Sequence, residues 1–246
     1  MKKAYFFSDV HIGSHDRESE LLKENYLQSF FNFLAGEKDF SLYIVGDLFD
    51  FWFEYKHAIP IHYQHILSKL MHLRERGVPV TFISGNHDFW MRNFFQEQMG
   101  IPTFHGVHEE KILGKSFHFF HGDGIVEKDV GYRTLKKILQ NPLVIRLYQW
   151  IHPDIGIPIA RYASHLSRNH YVLEPEEAAA EDLEYLAYAR RQFQAGADVV
   201  IMGHTHRPVF HQENGKTYIN LGDWLVHFTY AVFDGENFEL KTWQLK

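Results

Sequence analysis

Five short stretches of this chain set metal-ligand residue types side by side: Asp9-Val10-His11, Gly46-Asp47-Leu48-Phe49-Asp50, Gly85-Asn86-His87-Asp88, His121-Gly122-Asp123 and Gly203-His204-Thr205-His206. Asp9 with His11, and His204 with His206, stand at i and i+2, where an extended backbone projects alternate side chains to one side. Each pair can therefore grip metal jointly. A lone pair of this kind more often marks a hydrogen-bonded histidine than a ligand, but five clusters in one chain leave that reading little room. Imidazole combined with carboxylate and amide oxygen suits Mn²⁺, Fe or Zn²⁺ better than Mg²⁺ or Ca²⁺, which prefer oxygen throughout. Histidine is abundant, 18 of 246 residues, and cysteine is absent. That absence excludes a disulfide framework, a thiolate nucleophile, an iron–sulfur cluster and cysteine-based zinc modules.

The elements that must position these residues are legible as apolar runs. Each cluster directly follows one, at 4–7, 42–45, 78–83, 117–120 and 199–202, and further runs lie at 218–221 and 229–233. They predict buried strands. Between them, Leu21, Leu22, Tyr26, Leu27, Phe30, Phe31 and Leu34, and then Ile66, Leu67, Leu70, Met71 and Leu73, recur at helical spacing. The alternation predicts a layered α/β sandwich. In open α/β sheets ligands sit beyond the carboxyl ends of the strands, so the five clusters are expected to share one crevice. Gly46, Gly85, Gly122 and Gly203 are expected to permit tight or left-handed turns there.

Residues 132–173 break the rhythm. The pattern is helical, punctuated by Pro142, Pro153 and Pro158, and reads as a cap inserted into a single domain spanning 1–246. Six basic residues, Arg133, Lys136, Lys137, Arg146, Arg161 and Arg168, face Asp154 alone, and the stretch is too apolar for a purely solvated face. It either packs on the core or forms a lid for an amphipathic substrate, cationic groups meeting anionic headgroups and apolar ones acyl chains. Phe49, Phe51, Trp52, Phe53, Phe89 and Trp90 are expected to line one wall of that pocket. The acidic run at 174–184, and His62, His65 and His72 on one helical face, read as solvated faces. A net charge of −6 argues against a general nucleic-acid binder. No apolar run is long enough to span a membrane. The N-terminal apolar run is too short for a secretory signal, so a cytosolic location is expected.

Taken in order, the five motifs, spanning residues 9 to 206, resemble those of the calcineurin-like metallophosphoesterases. The resemblance implies a four-layer α/β/β/α sandwich with a two-metal centre. It assigns Asp9, His11 and His206 to the first ion, Asp47 to a bridge, and Asn86, His121 and His204 to the second. It gives His87 the task of stabilising developing charge or protonating the leaving oxygen, with the Asp50 carboxylate hydrogen-bonded to it. Mn²⁺ is the expected metal, with Fe or Zn²⁺ as alternatives. Two divalent cations outweigh the charge of Asp9 and Asp47, so the site attracts a phosphate ester even inside an acidic protein. Cations roughly 3.5–4 Å apart can share a hydroxide for in-line attack on phosphorus.

The segment Gly46 to Tyr55, the placement of Asp129 and Tyr132 after His121, and the helical insertion are similar to the UDP-2,3-diacylglucosamine hydrolases of lipid A synthesis. Those enzymes sit peripherally on the cytoplasmic face of the inner membrane and release UMP and 2,3-diacylglucosamine 1-phosphate. The resemblance implies a lipid-linked sugar nucleotide as substrate, with Asp129, Tyr132, Ser164 and Arg168 as contacts. Well-known members of that branch carry Arg where this chain has His87. The alternatives are a soluble phosphodiesterase or dinucleotide polyphosphate hydrolase of the same family and, from a different class, a non-catalytic scaffold.

Overall fold

A computed structural model describes residues 2–14, 17–126, 130–170 and 174–245, without the side chains of residues 130, 132, 163 and 165–170. Its strands are β1 (Lys3–Phe7), β2 (Phe40–Val45), β3 (Val80–Ser84), β4 (Thr103–His105), β5 (His108–Ile112), β6 (Lys115–Phe119), β7 (Val199–Met202), β8 (Pro208–Glu213), β9 (Lys216–Leu221), β10 (Thr229–Phe233) and β11 (Phe238–Thr242). The helices are α1 (Arg17–Gly36), α2 (Gln64–Glu75), α3 (Val130–Leu139), α4 (Pro142–Tyr148), α5 (Pro153–His170) and α6 (Pro175–Gln194).

Two sheets form, in the orders β11-β10-β1-β2-β3-β4 and β5-β6-β7-β9-β8. In the first, β1 to β4 run parallel; in the second, β6, β7 and β9 do. The apolar runs occupy the middle of each sheet, where both faces are covered. Phe6, Tyr43, Val45 and Ile83 of the first sheet pack against Phe117, Phe119, Val199 and Ile219 of the second. The opposite face of the first sheet carries Phe7, Ile44 and Phe82 into Phe30, Leu34 and Leu70 of α1 and α2. The outer face of the second sheet meets Tyr185, Ala189 and Phe193 of α6 through Val200, Met202 and Tyr218. The result is the expected four layers, helix, sheet, sheet, helix.

The sequence reading missed β4, β5, β8 and β11. They lie at or next to sheet edges, with exposed or half-exposed residues along much of their length. Edge strands bury fewer side chains and so carry no apolar run.

Residues 130–170 are helical, carrying α3 to α5, and 171–173 of the stretch read as a cap lie outside the described residues. The inner residues Leu139, Ile145, Tyr148 and Ile157 pack on Phe51, Phe53 and Trp90, and the Trp90 indole donates to the Leu139 carbonyl at 2.9 Å. Phe49 and Trp52 depart from expectation. Both are fully buried in the core beneath α1 and α2, beside Tyr63 and Phe95, rather than facing a pocket among the described residues. The acidic run on α6 is also more than a solvated face: Glu181, buried, and Asp182 bind the Arg207 guanidinium, each at 2.7 Å. His62, His65 and His72 are solvent-exposed, His62 in a 3₁₀ turn ahead of α2.

Phe6 is wholly buried between the sheets, its ring stacked on Tyr43 and Phe117. Phe6→Ala should lower unfolding free energy by about 3–5 kcal/mol, measured by chemical denaturation. A loss below about 1 kcal/mol would contradict this packing.

Candidate metal centre

Because the central strands of each sheet run parallel, their carboxyl ends lie along one edge of the sandwich, and the loops leaving β1, β2, β3, β6 and β7 meet there. The first two are joined by backbone hydrogen bonds. Asp9 N donates to Gly46 O, Val10 N and His11 N to Asp47 O, and Ile12 N to Leu48 O, at 2.9–3.1 Å. Lys23 of α1, itself buried, donates to the His11 carbonyl at 2.6 Å. Asp88 ties the third loop to the second, its carboxylate accepting from Gly85 N at 2.7 Å and Leu48 N at 2.9 Å. Sequence reading assigned Asp88 no role; its burial, which only the fold reveals, marks it as a loop clamp. Asn220 and Asp223, after β9, support the fifth loop: Asn220 Nδ2 donates to Gly203 O at 2.8 Å, and Asp223 Oδ2 lies 3.7 Å from His206 Nδ1.

Asp9, His11, Asp47, His204 and His206 all have φ between 49° and 71°. Non-glycine residues rarely adopt this left-handed conformation, and it persists where the surroundings over-determine it. The glycines serve two ends, and Gly46 serves both, since a Cβ there would also collide with the His121 ring. Gly46 and Gly122 take the positive φ expected of them. Gly85 and Gly203 do not; they make room, since a Cβ on Gly85 would collide with Asp47 Oδ1 and one on Gly203 with Asp9 Oδ2.

The donors gather in two groups, Asp9, His11 and His206, and Asp47, His121 and His204. Asp9 Oδ1 lies 3.4 Å from His206 Nε2 and 3.8 Å from His11 Nε2, and His11 and His206 face each other Nε2 to Nε2 at 3.2 Å. Asp47 Oδ2 lies 3.2 Å from His121 Nε2 and 3.7 Å from His11 Nε2, between the two groups. Asn86 Oδ1 stands 3.2 Å from His121 Nε2. Ligand atoms held at about 2.1 Å from one cation lie about 3–3.4 Å apart in octahedral or tetrahedral arrangement, which is the spacing of the closest of these donors. His121 Nδ1 faces the Val45 carbonyl at 3.0 Å, so it carries a proton, and Nε2, 3.2 Å from Asp47 Oδ2, is the ring atom left to face a cation. Asp9 Oδ1 is buried and accepts no hydrogen bond among the described residues. An orphaned carboxylate oxygen ringed by imidazoles fits a divalent cation, so the residues suit the metals implied by the motifs.

The electrostatics agree. Burial raises the Asp9 carboxyl above the usual range, only partly offset by His121 and His206. Burial also works against ionising Asp47, but the charges of His121 and His87 and the hydrogen bond from His121 outweigh it and hold that carboxyl well below normal. Burial disfavours charge on His121, yet Asp47 and Asp9 prevail and hold its imidazole well above the usual value. Burial, reinforced by His121, keeps His204 well below it, in the neutral form that coordinates. Burial, with Asp47 alongside, pushes Asp88 up to about 7.

A third grouping, His11, Asp50 and His87, is not a comparable cage. His87 Nδ1 lies 2.9 Å from the Asp50 backbone carbonyl, which only accepts, so that nitrogen carries a proton and has no lone pair to offer. The direct bond expected between the Asp50 carboxylate and His87 is not made: Asp50 Oδ1 is 3.8 Å from Nδ1. The side chain of Ser164 fills the gap. Its Oγ lies 2.9 Å from His87 Nδ1 and 3.1 Å from Asp50 Oδ1. Asp129 lies outside the described residues; Tyr132 and Arg168 are on α3 and α5, with side chains outside them.

The profile of calcineurin-like phosphoesterases matches residues 2–208 of the chain. The UDP-2,3-diacylglucosamine hydrolase of Porphyromonas gingivalis (strain ATCC BAA-308 / W83) is 29% identical over 256 residues, covering 98% of this chain and 97% of its own. The protein of the same name from Neisseria meningitidis serogroup B (strain ATCC BAA-335 / MC58) is 30% identical over 231 residues, covering 94% and 92%. That of Yersinia pseudotuberculosis serotype O:1b (strain IP 31758) is 29% identical over 206 residues, covering 82% and 85%. Among solved structures, a novel archaeal phosphodiesterase shares the fold with a TM-score of 0.50 at 14% identity, covering 97% of this chain and 98% of its own.

Asp47 stands between both donor groups, whereas Asp9 serves one. Asp47→Ala should therefore abolish binding of both ions, and Asp9→Ala should retain about one per chain, as measured by elemental analysis after reconstitution with Mn²⁺. Equal stoichiometry in the two variants would contradict a bridging position.

Proposed function

The chain belongs to the calcineurin-like phosphoesterase family, and from that premise we propose that it hydrolyses the diphosphate of UDP-2,3-diacylglucosamine, yielding UMP and 2,3-diacylglucosamine 1-phosphate in lipid A biosynthesis. The observation that carries the substrate is the length of the likeness. Relatives of that name match up to 98% of the chain, so the similarity runs through the cap as well as the metal-ligand loops.

Asp9, His11 and His206 would hold one divalent cation, Asn86, His121 and His204 the other, and Asp47 would join them. Mn²⁺ is the favoured ion for this mixture of nitrogen and oxygen donors. When bound, the pair supplies Lewis acidity toward the phosphoryl oxygens and lowers the pKa of water. The chain's own contribution is orientation and proton handling. With Nδ1 of His87 committed to the Asp50 side, Nε2 is the ring atom that meets substrate. It lies 4.0 Å from Asp47 Oδ2, on the side of the metal ligands. From there it hydrogen-bonds developing charge or delivers a proton to the leaving oxygen. Asp129, Tyr132 and Arg168 are the proposed contacts to the sugar and phosphate groups.

The outer face of the cap supports a peripheral position on the cytoplasmic face of the inner membrane. Trp150 is 84% exposed, and Leu143, Leu147, Ile155 and Ile159 are each more than half exposed, near the exposed cations Arg133, Lys137 and Arg146. Apolar anchors beside positive charge favour an anionic lipid interface. No described helix is long and apolar enough to cross a membrane.

Purified protein with Mn²⁺ should hydrolyse UDP-2,3-diacylglucosamine in detergent and leave bis-nucleoside polyphosphates intact; the reverse preference would replace this reading with that of a soluble hydrolase. His87→Ala should lower turnover by about 10²–10⁴-fold with two metals still bound. Wild-type turnover in that variant would remove His87 from the chemistry.

A further inference from the structure

Ser164 lies on α5, yet its hydroxyl reaches the β2 and β3 loops. Three acceptor or donor atoms surround it: His87 Nδ1 at 2.9 Å, Asp50 Oδ1 at 3.1 Å and Asp50 O at 3.4 Å. The directions of these bonds are fixed by chemistry. The Asp50 carbonyl accepts only, so His87 Nδ1 bears hydrogen, which it shares between that carbonyl and Ser164 Oγ. The single hydroxyl hydrogen of Ser164 is then left for the Asp50 carboxylate. If Nδ1 lacked its hydrogen, its lone pair would face a carbonyl oxygen at 2.9 Å, a repulsive contact that a hydrogen bond from Ser164 would not relieve.

This assignment bears on what Ser164 can do for a substrate. Phosphate and acyl oxygens are acceptors, and a serine whose one hydrogen is committed to a buried carboxylate has no donor for them. Asp50 is nearly inaccessible to solvent, so water does not readily replace the hydroxyl there. One helical turn earlier on α5, Arg161 donates to the Gly13 carbonyl at 2.6 Å, in the loop that follows His11. Residues three apart share a helix face, so the same face of α5 is fastened to the first, second and third loops.

We propose that Ser164 is the positioning residue for His87, a hydroxyl supplied by the cap that links the imidazole to the Asp50 carboxylate and holds Nε2 toward the reacting groups. It replaces the substrate-contact role expected of Ser164 from the sequence, and it rests on the reading of His87 given above. The cap then contributes to the chemical step as well as to binding.

The test is a double-mutant cycle of Ser164→Ala and His87→Ala in the full-length Mn²⁺-loaded protein, on UDP-2,3-diacylglucosamine and in parallel on bis(p-nitrophenyl) phosphate. Ser164→Ala should lower kcat about tenfold, the loss of one well-placed hydrogen bond, with KM changed less than about twofold. Ser164→Thr should restore most of it. On the His87→Ala background, Ser164→Ala should add less than about a twofold loss, because its effect passes through the ring. A raised KM at unchanged kcat, or losses that multiply, would overturn the proposal and return Ser164 to the substrate. Turnover of the diester but not of the lipid would overturn the proposed substrate alone, since the cycle remains readable on the diester. Independently of activity, ¹⁵N NMR of the imidazoles should show His87 protonated at Nδ1, with that resonance moved by Ser164→Ala. A resonance indifferent to the substitution would also overturn the link.

Discussion

Two carboxylates, Asp9 and Asp47, are buried at the shared edge of the two sheets, and buried negative charge is stable only with positive charge close by. The rest of the molecule's working end is arranged to meet that demand. Histidines from four loops converge on the two side chains, and the loops are held by backbone pairing, by Lys23, and by the bifunctional carboxylate of Asp88. Several of the donor residues adopt left-handed backbone conformations, which costs an L-residue about 1–2 kcal/mol each. Neighbouring glycines give up side chains that would otherwise occupy the ligands' space. Strain and close approach concentrate around the two donor groups, and the sandwich beneath is regular.

The cap has two faces of different character. Its inner face is seated on Phe51, Phe53 and Trp90. It is further pinned through polar contacts: Lys136 to Asp123, Arg161 to Gly13, and Ser164 to Asp50 and His87. These contacts reach four of the five motif loops or their immediate continuations. Lys136 and Arg161, basic residues that a sequence reading assigns to headgroups, are thus turned toward the protein. The outer face keeps Arg133, Lys137 and Arg146 exposed among large apolar side chains. The inner face of these helices packs on the core, and the outer face leaves charged and apolar side chains in solvent.

The central strands and their terminal clusters were readable because a strand covered on both faces must be apolar along its length, and a ligand loop must then interrupt it with Asp, Asn or His. Edge strands such as β8 and β11 carry no such constraint and left no run to find. Phe49 and Trp52 were misplaced because aromatic type does not say which way a loop turns: Phe51 and Phe53 meet the cap while their neighbours descend into the core. The acidic run of α6 showed charge but not partner, and Arg207, distant in sequence, supplies it.

What the sequence determined by itself was the donor set and its order: which residues can bind cations, that cysteine chemistry is excluded, and that α and β segments alternate in a layered fold. Those properties follow from side-chain type and local periodicity, which a linear chain carries in full. Only the tertiary structure decided that Asp47 stands between the two donor groups, that Asp88 is a clamp rather than a ligand, and that a cap serine intervenes between Asp50 and His87. Each of these depends on distances of a few ångströms between residues about 40 to 114 positions apart. Such separations are fixed by how the sheets pack and where α5 comes to rest, and no local pattern encodes them.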